Sequence, residues 1–248
     1  MAPRKKRLDE ALVEAGFFQS ADVAARAVMA GKVLRNGHPE SKPGTPVRSD
    51  DLLALAPTEK YVGRGGFKLE GALDAFAIEP AGKLCLDVGA STGGFTDCLL
   101  QRGASKVYAI DVGKNQLDWR LRNDPRVESR EGVNARFLEP VDFDPAPALG
   151  VGDVSFISLT AILPAVFRVV APDSDLVFLI KPQFEASREA VGAGGIVRDE
   201  SVRQDCVEKI RAFVRAAGHE WLGMIPSPIT GRDGNVEFLC HLRSRMAT

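Results

Sequence analysis

The sequence predicts an α/β protein, a doubly wound and mostly parallel sheet preceded by a small α+β module. Three observations predict it. Beyond residue 67, short apolar runs alternate with segments of helical periodicity, the pattern of a parallel sheet with helices on both faces. One of these runs leads into a glycine-rich turn and then a helix, the unit at which such sheets bind ligands. Charge is also divided along the chain. Residues 1–48 hold nine basic and five acidic side chains, a local charge of +4, although the net charge is −1. A small basic head on a mildly acidic body hints at a module that faces nucleic acid.

The elements follow in order. Residues 8–16 (LDEALVEAG) read as a short amphipathic helix closed by Gly16. Ser20 is placed to cap a second helix over 21–30, closed by Gly31. Residues 32–34 look like a strand turned at Asn36-Gly37, and 52–55 like a second. These make a head over 1–56. The turn-rich segment 57–66 reads as a linker, and the body occupies 67–248. The body opens on a helix, with Leu69, Leu73, Phe76 and Ala77 at helical spacing. Strands are expected at 84–88, 107–110, 126–129, 150–154 and 176–180. Helices are expected at 95–101, 117–122, 159–169 and 200–217. Two closing strands, 220–224 and 237–242, would add an antiparallel edge.

Composition excludes several classes. Hydrophobic residues are 45% and charged residues 26%, a globular balance rather than a disordered one. The four cysteines, Cys85, Cys98, Cys206 and Cys240, have no metal-ligand spacing and read as buried free thiols. The three histidines, His38, His219 and His241, are not placed to share a metal, so no metal site is expected. No apolar core follows the basic N-terminus as in a secretory signal, and the longest apolar stretch, 157–167, is too short to span a bilayer. A cytoplasmic, monomeric protein that meets no membrane is expected.

The strongest signal is LCLDVGASTGGFTDCLL at 84–100. A buried strand ends at Asp87-Val88-Gly89, and a tight turn with Gly93 and Gly94 opens a helix. Glycines let a ligand approach the backbone, and helix N-terminal amides point at it. Asp111 ends the next strand in YAID, where an acid can accept hydrogen bonds from ribose hydroxyls. Three ligand chemistries compete. A dinucleotide turn needs a second glycine where Ser91 stands. Gly89-Ala90-Ser91-Thr92-Gly93 matches the nucleophile elbow of hydrolases, but the histidine that a triad needs has no convincing candidate, since His241 sits in a strand pattern. S-adenosylmethionine carries no pyrophosphate, so for it the missing glycine is harmless. An incidental turn in a βαβ unit is the bland alternative.

Two polar residues end later strands and would face the same crevice: Asp153 in GDVSFISL and Lys181 in FLIKPQFE. Each could equally be a surface charge at a strand end. Lys181 is the more telling, because it follows four apolar residues. Burial favours a neutral amine, and a general base needs one. Asn235 and Glu237 open the last strand in RDGNVEFL, and Lys68 stands in RGGFKLEGAL, where a solvated lysine would be ordinary.

The pieces GRGGFKL, LDVGASTGGFTD, LRNDPRV, DVSFISL, KPQFE and SPITGRDGNVEF together resemble the TlyA family, over nearly the whole chain and in order. Its members carry both hemolysin and ribosomal RNA methyltransferase names. The resemblance implies a head like ribosomal protein S-four, which binds RNA. It also implies an FtsJ-like body with a Rossmann-like class I methyltransferase fold, seven strands with the last antiparallel. The implied reaction is 2′-O-methylation of cytidine in ribosomal RNA of one or both subunits, with S-adenosylmethionine as cofactor. The family's Lys-Asp-Lys-Glu catalytic set falls on Lys68, Asp153, Lys181 and Glu237. By the same resemblance Asp87, Gly89, Ser91, Gly93, Gly94 and Phe95 form the methionine side of the cofactor pocket. Asp111 takes the ribose and Asn134 lies near the adenine. The head's basic residues Arg4, Lys5, Lys6, Arg7, Lys32, Arg35 and Lys42, with Arg64 of the linker, are the expected RNA contacts. A basic rim of Arg64, Lys68, Arg120, Arg122 and Arg136 is expected on the body. The basic stretch before the first helix resembles the longer members, which modify both subunits.

Two departures concern the head and linker. Ala21 follows Ser20 where the family usually has arginine, and Gly63 replaces a usual serine. They bear on RNA affinity, not on the methyltransferase fold. Of the other classes, a membrane-lytic protein needs an apolar span or an exposed amphipathic helix. A non-catalytic ribosome-assembly factor would bind RNA without needing Lys181.

Overall fold

A computed structural model describes residues 6–56, 59–231 and 234–245. The chain divides into two compact units, Met1–Lys60 and Tyr61–Thr248.

The first unit has helices α1 (Leu8–Glu14) and α2 (Ala21–Met29) and five short strands: β1 (Lys6–Arg7), β2 (Val33–Arg35), β3 (His38–Pro39), β4 (Pro46–Val47) and β5 (Leu53–Leu55). Ser20 caps α2 as expected, its Oγ accepting from the Val23 amide at 3.4 Å. Asn36 and Gly37 turn β2 into β3, both at positive φ. β5 flanks β2 on its other edge. Leu8 and Leu12 of α1 pack on Ala24 and Val28 of α2 and on Val33, a five-residue core.

The second unit is built on a seven-stranded sheet. In chain order its elements are α3 (Gly65–Phe76), β6 (Leu84–Val88), α4 (Gly94–Gln101), β7 (Lys106–Asp111), α5 (Trp119–Arg122), β8 (Val127–Glu131), β9 (Leu149–Gly152), α6 (Leu163–Val169), β10 (Asp175–Ile180), α7 (Pro182–Glu185), α8 (Glu200–Ala216), β11 (Glu220–Pro226) and β12 (Phe238–Arg243). Across the sheet the order is β11-β12-β10-β9-β6-β7-β8, and β12 runs antiparallel to both neighbours. Strand period two sorts the core. Leu86, Val88, Tyr108, Ile110, Leu176, Phe178 and Ile180 face α6 and α8. Cys85, Val107, Ala109, Leu149, Val151, Val177 and Leu179 face α3 and α4. All four cysteines are buried free thiols. Gly152 in the central strand makes room for a neighbour, since a Cβ there would lie 2.3 Å from the Phe178 ring.

Three differences from the sequence reading bear on the second unit and its site. The expected linker 57–66 does not stay outside the body: Tyr61 to Gly66 belong to the second unit, Tyr61 is buried in its core, and α3 starts at Gly65. The glycines there serve packing rather than flexibility. A Cβ on Gly66 would lie 2.2 Å from the Tyr61 ring, and one on Gly94 would lie 2.9 Å from the Gly66 amide nitrogen. The helix expected over 159–169 starts at Leu163, because Pro164 is tolerated only in a first turn. Finally, the one-turn α7 just after Lys181 was not expected at all. Among the described residues, no helix is long and apolar enough to cross a membrane.

Candidate active site

The topology reverses between β6 and β9, where a doubly wound sheet leaves its crevice. Register then gathers the polar residues. Val88 pairs with Gly152, so Gly89 and Asp153 leave adjacent strands side by side. Ile180 pairs with Phe238, so Lys181 and Glu237 also lie side by side, because β12 enters the sheet at the edge where β10 leaves it. Lys68 reaches them from α3.

These residues form one chain of contacts. Lys68 Nζ lies 2.7 Å from Glu237 Oε2 and 3.6 Å from Asp153 Oδ2. Lys181 Nζ lies 2.6 Å from Asp153 Oδ1 and donates to Ser155 Oγ at 2.7 Å. The two lysines are 8% and 9% exposed, so these ion pairs are poorly screened. Two amines face two carboxylates. A Cβ on Gly231 would lie 2.3 Å from Glu237 Oε1, so glycine there keeps the carboxylate in place.

Two cavities flank the cluster. The larger, about 480 Å³, is lined by Gly89, Ser91, Asp111, Asn134, Asp153 and Phe156, among others. The smaller, about 220 Å³, is reached by Lys181, Gly65, Gly94 and Phe95. Gly89, Ser91, Asp153 and Ser155 line both. Gly89 sits at φ +82°, and a Cβ would meet the Asp153 carbonyl oxygen at 2.8 Å, so this turn admits only glycine.

Asp111 holds the turn in shape. Its Oδ2 accepts from the Ser91 amide at 2.8 Å and its Oδ1 from the Gly113 amide at 2.7 Å. Asn134 lines the larger cleft, its Oδ1 accepting from the Arg136 amide at 3.1 Å. Glu131, unnoticed in the sequence, accepts from the Asn115 and Gln116 amides and from Arg122, and these bonds hold its carboxyl down at about 2. It fixes the rim loop that carries Gln116 into the larger cleft.

Two expected pocket residues stand back from both cavities. Gly93 is buried under Leu117 and Leu121, where a Cβ would lie 2.8 Å and 2.2 Å from their methyls. Asp87 is fully buried beneath the turn. Its Oδ2 accepts from Thr96 Oγ1 at 2.6 Å, and its Oδ1 has no hydrogen-bond partner. Burial pushes its carboxyl up to about 7, against the Thr96 hydroxyl and with help from Asp153 and Asp111.

The expected basic surfaces are partly spent. Lys6 pairs with Glu14, Arg7 with Asp9 at 2.7 Å, and Arg35 with Asp51 at 3.5 Å. Lys32 and Lys42 stay exposed, while Arg4 and Lys5 lie outside the described residues. On the body, Lys68 is buried rather than on a rim. Arg120 pairs with Asp118, Arg122 pairs with Glu131, and Arg136 lies over the Phe137 ring. Arg64 is exposed and donates to the Thr230 carbonyl at 3.3 Å. Among the described residues, no cluster could hold a metal ion.

Ser155 and Phe156 stand inside DVSFISL, but sequence reasoning gave them no role. The latter is 90% exposed at the mouth of the larger cleft, at φ +66°.

Comparison with known proteins gives the family of each unit. Residues 61–244 match the FtsJ-like methyltransferase family, and residues 6–53 match the S4 domain. The chain is 45% identical to the 16S/23S rRNA (cytidine-2′-O)-methyltransferase TlyA of Mycobacterium tuberculosis, over 98% of this chain and 91% of that protein. It is 44% identical to Hemolysin A of Brachyspira hyodysenteriae, over 95% and 98%. A Streptococcus thermophilus structure that carries a hemolysin label superposes with a TM-score of 0.75 at 45% identity, covering 99% of this chain and 90% of that one.

Proposed function

The chain belongs to the FtsJ-like methyltransferase family, among its TlyA members, and from that premise we propose that it methylates the 2′-hydroxyl of cytidine in ribosomal RNA with S-adenosylmethionine. The observation that carries the reading is the convergence of Lys68, Asp153, Lys181 and Glu237: Asp153 lines both cavities, Lys181 lines the smaller, and Lys68 and Glu237 stand behind them. The larger cleft suits the cofactor. Its volume is that of a small-molecule site. It offers the Asp111 carboxylate for ribose hydroxyls and Asn134 for an adenine edge. Gly89 and Ser91 leave the backbone open for the methionine end, with Gly94 and Phe95 beside them. When ionised, the buried Asp87 below adds negative charge for a cation.

When bound, S-adenosylmethionine supplies an electrophilic methyl group on a cationic sulfonium. A ribose hydroxyl is a poor nucleophile and needs orientation and a proton acceptor. Lys181, in the smaller cavity, steers the hydroxyl and takes its proton. Asp153 and Ser155 aim its amine from two sides. Glu237 holds Lys68 in place, and Lys68 in turn meets the second oxygen of Asp153. Positioning supplies much of the rate, since an in-line transfer tolerates little misalignment.

The test is direct. Purified protein with labelled cofactor and unmodified ribosomal subunits should place label on a cytidine ribose, read as an alkali-resistant dinucleotide. Label on a base, or on no RNA, overturns the reading. The relative named for both 16S and 23S rRNA favours cytidines in both subunits.

The S4 domain is the proposed RNA grip, with Arg4, Lys5, Lys6, Arg7, Lys32, Arg35 and Lys42 as the cations of the head, and Arg64 is a separate proposed RNA contact on the second unit. Because three of these are already paired with acids, Lys32 and Lys42 carry the larger share. Replacing both with alanine should weaken ribosomal RNA binding and reduce its salt slope by about 1.5, the counterion release of two phosphate contacts. A slope unchanged between 50 and 200 mM salt, roughly the range over which such contacts register, removes this face from the interface.

A further inference from the structure

The segment that follows Lys181 and the loop that follows Asp153 are joined by three successive ties. Lys181 Nζ donates to Ser155 Oγ at 2.7 Å. The Phe184 ring lies 5.1 Å from that of Phe156. Glu185 closes the series: its Oε2 accepts from Ser158 Oγ at 2.6 Å and its Oε1 from the Leu159 amide at 2.7 Å. The Glu185 side chain is 1% exposed, and its charge is met by Lys209 Nζ at 3.0 Å, which also donates to the Glu185 carbonyl at 2.9 Å.

Phe156 lies between the first tie and the last. A bulky residue at φ +66° is strained. Such a conformation persists only where the surroundings over-determine it. Here the segment is anchored on the near side by Ser155 and on the far side by Ser158 and Leu159. Releasing the far anchor would let Phe156 relax toward extended backbone. Ser155, its neighbour, would then leave Lys181.

We infer that Glu185 is a positioning residue: through Ser158 and Leu159 it holds the strained 155–157 segment, and so sets Ser155 against the Lys181 amine and keeps the wall of the larger cleft in place. The inference rests on the proposed role of Lys181, but its geometry can be read separately. Ser155, Phe156 and Ile157 all line the larger cleft.

The experiment compares wild type with E185A, E185Q, S155A and the double variant E185A/S155A. Glutamine can still accept from the Leu159 amide and donate to Ser158 Oγ. E185Q should therefore keep kcat within about threefold: it gives up the charge and the side-chain hydrogen bond to Lys209, but the half-exposed Lys209 keeps the residue-185 carbonyl and can turn to solvent. E185A should lower kcat by at least tenfold and shift the pH profile as S155A does. In the double variant the two losses should not multiply, because both act through one contact. S-adenosylhomocysteine affinity, measured by calorimetry, should fall in E185A and recover in E185Q. Hydrogen exchange should show the Leu159 amide unprotected in E185A and the double variant, but not in E185Q or S155A. A merely structural role predicts lower thermal stability with an unshifted pH profile and losses that multiply with S155A. That outcome, or wild-type kcat in E185A, overturns the inference. If no RNA is methylated by the wild type, the function reading fails while affinity and exchange still decide this one.

Discussion

Lys181→Met should lower the single-turnover rate of methyl transfer by about 10³-fold, within the range for a positioned acid–base group, while S-adenosylhomocysteine affinity stays within threefold. Methionine fills a similar volume in the buried site and removes only the amine. Asp153 then keeps one cation, Lys68 at 3.6 Å, so its charge is not abandoned. The fold should survive for the same reason, and thermal unfolding will separate a chemical loss from a structural one. The larger cleft is not lined by Lys181, which is why cofactor affinity should hold. A rate within tenfold of wild type would show that the ribose proton leaves by another route. Loss confined to KM would mean that Lys181 binds substrate without assisting the transfer step.

The catalytic set was partly legible in the sequence because strand ends are. A polar residue straight after an apolar run, as at Asp153 and Lys181, must emerge at the carboxyl edge of a parallel sheet. Glu237 is legible only once β12 is known to run antiparallel, which brings its start to that same edge. Lys68 was not legible without the family resemblance, since its burial depends on Glu237, 169 residues away along the chain. The GRGG segment misled. Turn formers read as a linker, yet Gly66 and Gly94 are glycines because two backbones and the Tyr61 ring meet there. Ser155 and Glu185 stand inside DVSFISL and KPQFE, yet took no role from them for a related reason. Their partners, Lys181 for one and Ser158 and Leu159 for the other, are set by packing of the sheet edge rather than by any local spacing. Charge counting overstated the grip of the head, because it cannot see that Lys6, Arg7 and Arg35 spend charge on Glu14, Asp9 and Asp51.

Asp87 should make both stability and cofactor binding depend on pH near neutrality. Burial raises its carboxyl from the ordinary 3.8 to about 7 in the fold. Below pH 4 it is protonated in the folded and unfolded chains alike, and it contributes nothing. Between about 4 and 7 the folded chain holds a proton that the unfolded chain has released. Above 7 an ionised carboxylate is buried with one oxygen unpartnered. Its cost is fully present above pH 7 and is relieved as pH falls toward 4. Asp87→Asn removes that cost, so the variant should be more stable than wild type at pH 8, by up to about 4 kcal/mol, because each tenfold change in proton affinity is worth about 1.4 kcal/mol. At pH 4 the advantage should vanish. Binding should move the other way. A sulfonium and an ammonium brought near favour the ionised carboxylate, so wild-type affinity for S-adenosylmethionine should rise by about tenfold as pH climbs from 6 to 8, one proton being released on binding. Asp87→Asn should bind weakly at both values and without slope. Calorimetry in two buffers of different ionisation enthalpy would count that proton directly. A wild-type affinity flat across this range, or an asparagine variant that binds as tightly at pH 8, would mean that Asp87 supports the turn through Thr96 and is not felt by the cofactor.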